Sequence, residues 1–576
     1  MYVKVSTVRS GKKTYRYLTL AESYRDGQGR PCSRVVARLG EVSEMTDSGE
    51  LGRIAAALSS QLGRGAPALW SVEAAPSYGA MAACEAYFSH LHLDELFFRV
   101  GRRRRSVALG DAVFAMVANR LQEPSSTRHC VTDWPGSDAV MPTGRLLPSL
   151  DCLYRALDAI AEAKDEIESH CYQEVCNLTN LDLRLVCYEL TSSYVEGETT
   201  PSASFPSKAF GYSRDHRSDR PQIVIGLLVT SDGIPIDHHV FPGNTVDRST
   251  LPGVMEDFQV RFRVGRIALV ADRDLIAEEN LAELSVHGFD HVLATELHRD
   301  PAVRSVLEQA ASPDTVFTPV GDDGTRACEV VNDGRRYVVV DSPTRHRRDD
   351  VRRAELLART EDRLLALAAR VRSGRLSDPA KIGAAADRIL RDSGVGRCFS
   401  TTIANGVFTW DYDEKQMTYE EDLLSGRYVI TTSLDTTAAS KAQVVSHYKS
   451  LQSVENRFRV MKNVLALRPI FHYTEKRVRG YVGVCVLAAL IEALTAIDLA
   501  QAHLRESDVI TQHLTARRAL RELERVRQVA FTDQHGNERQ VLTRPSALQA
   551  KILAAFGVDT STWSSRIARP GRSQAL

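Results

Sequence analysis

The stretch QIVIGLLVTSDGIPIDHHVF, residues 222 to 241, holds two strand-like apolar runs, 222–233 and 234–241, and its reading decides the fold. Upstream, LDLRLVCYEL (181–190) is a third run of the same kind, so the three can form an antiparallel meander. Downstream, the helical pattern STLPGVMEDFQVRF leads into RIALVAD (266–272), and a second helix, IAEENLAELSVHG, leads into DHVLATE (290–296). A meander followed by a strand-helix-strand unit predicts a mixed α/β sheet covered by helices.

Working outward, short β-like runs fill the first forty residues, and helical periodicity runs from about 51 to 170. A long region after residue 296 interrupts the sheet with β-like segments and one charged helix. RYVITTSL (427–434) returns to it. The run VGVCVLAALIEALTAI (482–497) contains Glu492 and is too short to span a bilayer, so it reads as a buried helix rather than a membrane segment. The ten cysteines show no paired C-x-x-C spacing, which points to a reducing cytoplasm without structural zinc or disulfides. Net charge is zero, yet residues 441–576 carry 21 Lys and Arg against 11 Asp and Glu, so that end could engage a polyanion while the acidic middle houses metal-binding carboxylates. The cluster Arg102, Arg103, Arg104 and Arg105 suits either a solvated loop or phosphate contacts.

The segment HYKSLQSVENRFRVMK (447–462) reads as one helix. Leu451, Val454, Phe458, Met461 and Leu465 form its apolar stripe, and Tyr448, Glu455 and Lys462, seven residues apart, line up along it. Glu455 is the one acid among His447, Lys449, Arg457, Arg459 and Lys462, which fits either a surface ion pair or a functional carboxylate. Two other acids stand at strand ends: Glu189 near the end of the first core strand and Asp272 at the end of the fourth. Carboxylates so placed can converge to bind two divalent cations.

On these residues the chain resembles the DDE transposases of bacterial insertion sequences, specifically the insertion-sequence-four superfamily. Tyr448, Glu455 and Lys462 match the pattern Y-x2-R-x3-E-x6-K, with Leu451 at the arginine position. GYSRDHRSDRPQIVIGLLV (211–229), FPGNTVDRSTL (241–251), ALVADRDL (268–275) and ALRPIFH (466–472) match in order. The resemblance implies a ribonuclease-H-like mixed sheet, interrupted by a β-rich insertion domain and preceded by a small β module and a helical region. It divides the chain into an N-terminal β-rich module (1–50), a helical DNA-binding region (51–175), a catalytic core in two parts (176–296 and 426–505), an insertion domain with a charged helix (297–425) and a basic helical tail (506–576). It further implies metal-bound catalytic acids Glu189, Asp272 and Glu455, two Mg²⁺ ions for which Mn²⁺ can substitute, and DNA phosphates held by Tyr448, Arg457, Arg459, Lys462 and Arg102 to Arg105. Its expected partners are double-stranded DNA, both element ends and target, and further copies of the chain in a dimer or larger assembly. The expected setting is the bacterial cytoplasm, at the nucleoid.

Two departures open an alternative. Glu189 stands where the family usually has aspartate, extending the carboxylate by roughly 1.5 Å, and Asp274 replaces a common glycine. The chain is therefore expected to be either an active transposase or an impaired relative that still binds DNA. Asp215, His216, Arg217 and Asp219, with Asn244 and Asp247, form polar clusters that fit scaffolding, DNA contact or turn chemistry. His447 and His472 lack a second ligand at metal spacing and read as hydrogen-bonding groups.

Overall fold

The structure, a computed structural model, describes the chain apart from residues 1, 11–12, 29, 49–52, 54–69, 104–108, 135–138, 143, 180–182, 198–202, 263–266, 272–280, 282–283, 296–300, 506–512, 534–537, 562 and 564–576. It separates into two compact units, one of residues 1–76, 527–544 and 561–576, the other of 77–526 and 545–560.

In the first unit, strands Tyr2–Ser10, Lys13–Arg25 and Pro31–Glu41 form an antiparallel sheet, with Tyr2 opposite Ala21 and Tyr17 opposite Glu41. A second sheet pairs Trp70–Ala74 with Gln528–Asp533, which pairs in turn with Glu538–Leu542. The region after 506, expected as a helical tail, thus contains a hairpin besides the helices Ala516–Leu523 and Ala547–Ala555.

The second unit is built on a nine-stranded mixed sheet. In chain order its strands are β1 (Leu185–Tyr194), β2 (Gln222–Thr230), β3 (Pro235–Pro242), β4 (Ile267–Ala271), β5 (Phe289–Ala294), β6 (Thr318–Pro319), β7 (Arg326–Asn332), β8 (Arg335–Asp341) and β9 (Arg427–Thr432). Their spatial order is β6-β7-β8-β9-β5-β4-β1-β2-β3. The meander is present, with Val186 opposite Thr230 and Ile225 opposite Val240, both pairs antiparallel. β4 runs parallel to β1, with Tyr188 opposite Ala271, and β5 runs parallel to β4. Three antiparallel strands continued by two parallel ones make this the ribonuclease-H-like mixed α/β arrangement that the sequence led us to expect. β6 to β8, from within the expected insertion, join this sheet through β9 rather than standing apart. The rest of 297–425 includes a two-stranded hairpin and four helices, one of 30 residues, α4 as numbered below.

Seven helices matter here: α1 (Leu109–Gln122), α2 (Leu150–Glu162), α3 (Leu251–Phe262), α4 (Pro343–Arg372), α5 (Lys441–Lys449), α6 (Leu451–Asn463) and α7 (Glu475–Gln501). One face of the central strands, Val186, Tyr188, Leu190, Val224, Leu228 and Leu269, packs on Leu251, Val254, Met255 and Phe258 of α3. Burial on this scale stabilises by roughly 1.5–3 kcal/mol per large apolar side chain. The Tyr188 hydroxyl donates to Thr250 at 3.0 Å, and Gly226, paired with Leu190, leaves room for it: a Cβ there would lie 2.7 Å from that hydroxyl. α7 is buried along most of its length, and a Cβ on its Gly480 would lie 2.0 Å from the Leu157 carbonyl of α2.

Candidate active site

The helix expected over 447–462 is two helices. The Ser450 hydroxyl donates back to the His447 carbonyl at 2.6 Å, and its N–H is shared between the Ser446 and His447 carbonyls at 3.1 Å each. Such back-bonding competes with the helical ladder and bends the chain. Tyr448 consequently sits on α5, whereas Glu455 and Lys462 sit on α6. The stripe Leu451, Val454, Phe458 and Met461 is buried, which seats α6 against the sheet.

Three contacts fix where α6 lies. At its start, Ser450 Oγ is 3.3 Å from Cys187 Sγ on β1. One turn later, Ser453 donates to the Thr230 carbonyl of β2 at 3.3 Å. At its end, Lys462 Nζ bonds Asp215 at 2.7 Å, and the adjoining Arg214 N–H donates to Ser192 of β1 at 2.9 Å. α6 therefore runs along β1 in the same direction. Side chains alternate along a strand, so with Val186, Tyr188 and Leu190 on the α3 face, Cys187 and Glu189 face α6. At about 1.5 Å per helical residue, Glu455 lies about 7.5 Å beyond Ser450. At about 3.3 Å per strand residue, Glu189 lies about 6.6 Å beyond Cys187. Glu189, half-buried, and Glu455, exposed, thus stand on neighbouring elements, β1 and α6. β4 ends beside Glu189 at Ala271, whose partner is Tyr188. Asp272 follows in sequence and lies outside the described residues, as do Asp274, Arg104 and Arg105.

The cations divide into two groups. Arg457, expected beside DNA, is turned inward: it is 8% exposed and donates to the carbonyls of Gly233 at 2.9 Å and Ala489 at 3.1 Å and to the Glu492 carboxylate of α7. It is a strut between α6, the β2–β3 turn and α7, with its Nε and Nη1 donors committed to these buried partners. Arg459 is exposed and bonds Asn456 at 2.7 Å. Lys462 is largely covered, and burial pushes its pKa below the ordinary lysine range despite the opposing Asp215 hydrogen bond and charge. Tyr448 lies against Tyr428 of β9, with ring centroids 5.6 Å apart. Arg102 closes a helix at Leu93–Arg103 and lies over the Phe98 ring, and Arg103 ends that helix, away in sequence from the two acids.

A second acidic group, Asp237, His239 and Asp257, brings its ligand atoms within 4.8 Å of one another. Asp237 is fully buried, with Lys164 at 2.9 Å and Arg261 at 2.6 Å, and Arg261 also holds Asp257 at 2.8 Å. Although burial raises the Asp237 pKa, the His239 hydrogen bond and these cations outweigh it and hold the group well below the carboxylate range. Its charge is already met by protein cations, so it reads as an ion-pair network tying β3 to its neighbours. Periodicity could not reveal Asp215 or Arg468 as partners of Lys462; the one available sign was their place in the matched blocks 211–229 and 466–472.

The model of the transposase DDE domain matches residues 191–491, a span that includes Asp272 and Glu455 and begins just after Glu189. The model of the IS1634 family transposase N-terminal domain matches residues 3–68. No curated protein matches the chain. Among solved structures, the piggyBac transposase synaptic complex with hairpin DNA is similar at 10% identity and a TM-score of 0.35, covering 78% of this chain and 79% of that one.

Proposed function

The chain belongs to the DDE-domain transposases, enzymes that cut and join DNA with divalent metal ions, and from that premise we propose that it binds the ends of an insertion sequence of the insertion-sequence-four superfamily and moves it by cleavage and strand transfer. What supports the residue assignment is that Glu189 and Glu455 stand on neighbouring elements, β1 and α6, which meet at the Ser450–Cys187 contact.

These residues fit a divalent ion. Carboxylate oxygens are the hard donors that Mg²⁺ and Mn²⁺ take. Among the described residues, the hydrogen bond to the Glu455 carboxylate is a long one, from Gln452 at 3.4 Å, so its lone pairs stay open. Glu189, Asp272 and Glu455 would hold the ions, which when bound neutralise phosphodiester charge and acidify an attacking water. The chain's own part is to orient the DNA: Arg459 and Lys462, on the same helix as Glu455, place phosphates beside the acids, with Tyr448 on the preceding helix. Hydrolysis joins water oxygen to phosphorus and releases a 3′ hydroxyl, and that hydroxyl then attacks a target phosphodiester, displacing its 3′ oxygen. A dimer holding both ends completes the proposal.

The test is cleavage of a fragment carrying the element's flanking ends, in Mg²⁺, in Mn²⁺ and with chelator. Cleavage should require metal, fall at least a hundredfold with Glu455→Gln, by the scale of lost electrostatic stabilisation, and persist with Glu189→Asp. Undiminished cleavage by Glu455→Gln would refute the assignment. Silence of the unaltered protein restored by Glu189→Asp would show that the glutamate disables the site.

A further inference from the structure

Asp215 sits at the far end of α6 with a side chain 2% exposed. Its Oδ1 receives Lys462 Nζ at 2.7 Å and the Arg468 guanidinium, while its Oδ2 is buried without a hydrogen-bond partner. Arg468, partly exposed, also donates to Asn463 at 2.9 Å. The turn that presents Arg468 is held from behind. Arg120 of α1, 5% exposed, donates to the Leu465 and Ala466 carbonyls at 3.3 Å each and stacks over Tyr481, whose hydroxyl donates to the Ala466 carbonyl at 2.7 Å. This clamp maintains a left-handed backbone at Ala466, φ 49°, that a non-glycine residue adopts at a cost.

Two cations on one carboxylate leave one positive charge in excess, the complement of one phosphodiester. We propose that Asp215 is the positioning residue of a phosphate clamp, holding Lys462 and Arg468 side by side so that together they grip a single DNA phosphate. Arg468 thereby becomes a DNA-contacting residue. The inference rests on the transposase reading, since it needs DNA at α6. The charged groups acting on Lys462 are Asp215, Arg468 and Arg214. Of these only Asp215 favours the ammonium form, opposing the burial that disfavours it. An unsatisfied Oδ2 with both cations on Oδ1 also shows a carboxylate spent on orientation rather than on its own solvation.

The experiment is equilibrium binding of the full chain to duplex DNA carrying the flanking ends, at pH 7 and pH 9, across a salt series, without metal so that cleavage does not intrude. Asp215→Asn should weaken binding by a larger factor at pH 9 than at pH 7, because without the carboxylate the buried lysine gives up its charge sooner, whereas Asp215→Glu should keep the profile of the unaltered protein. Arg468→Gln should lower the slope of log affinity against log salt by about 0.9, one phosphate contact. A flat profile or tighter binding in Asp215→Asn would overturn the proposal. If that variant does not fold, Arg468→Gln decides alone, an unchanged slope refuting the clamp. Binding by the unaltered chain with none of these changes sinks this inference only, while no binding by the unaltered chain sinks the transposase reading with it.

Discussion

Two arginines two residues apart, Arg457 and Arg459, do opposite work because a helix turns about 200° between them. Replacing buried Arg457 by alanine strands the Glu492 carboxylate, at the 15% exposure of its side chain, and should cost about 3–5 kcal/mol in urea unfolding. Arg459→Ala, at an exposed site, should change stability by less than about 0.5 kcal/mol and act on DNA affinity instead. Equal stabilities in the two variants would refute the strut. His472 makes a second prediction. Burial, reinforced by the Arg120 and Arg477 charges, lowers its pKa from 6.5 to about 4. Between those values the unfolded chain binds a proton that the fold refuses, so stability falls as pH drops through that window and levels off below it. From pH 7 to pH 5 the cost from this group is about 2 kcal/mol. His472→Gln should unfold with that much less acid sensitivity, and equal losses in both proteins would show that the histidine is not the cause.

At the scale of elements, the contact between α2 and α7 depends on Gly480. Alanine is the better helix former by about 1 kcal/mol, yet its Cβ would lie 2.0 Å from the Leu157 carbonyl. Gly480→Ala should therefore destabilise by about 3 kcal/mol, at the upper end of overpacking costs. A stabilised variant in thermal unfolding would show that the helices can part. The elements also show what a sequence reveals. β1 to β5 were legible because strands buried on both faces are near-continuous apolar runs, as β2 is along its whole length. The mixed character of the sheet followed from helices lying between the later strands. Illegible were the break at Ser450, which rests on one hydroxyl bonding backward, and the inward turn of Arg457, whose partners at Gly233, Ala489 and Glu492 are far off in sequence. A charge reads as surface in a sequence until its partner is known. β7 and β8 lie in runs that read as β-like, but their union with the main sheet through β9 depends on pairing that no local pattern encodes.

For the molecule as a whole, α7 shows how far composition alone can mislead. It is long and apolar enough to cross a bilayer, yet 78% of its most apolar window is buried in protein, and Glu492 within it is paired with Arg457. The same helix backs α6, so the support for Glu455 lies in the last third of the chain, whereas Glu189 lies in the second fifth. A ribosome adding roughly 5–20 residues per second takes on the order of tens of seconds to pass from residue 189 to residue 455 and beyond. Throughout that interval the nascent chain exposes the β1 face that α6 will cover. Under the assignment proposed above, polypeptides abandoned before α6 emerges lack one of the acids and are expected to show no cleavage in the assay of flanking ends.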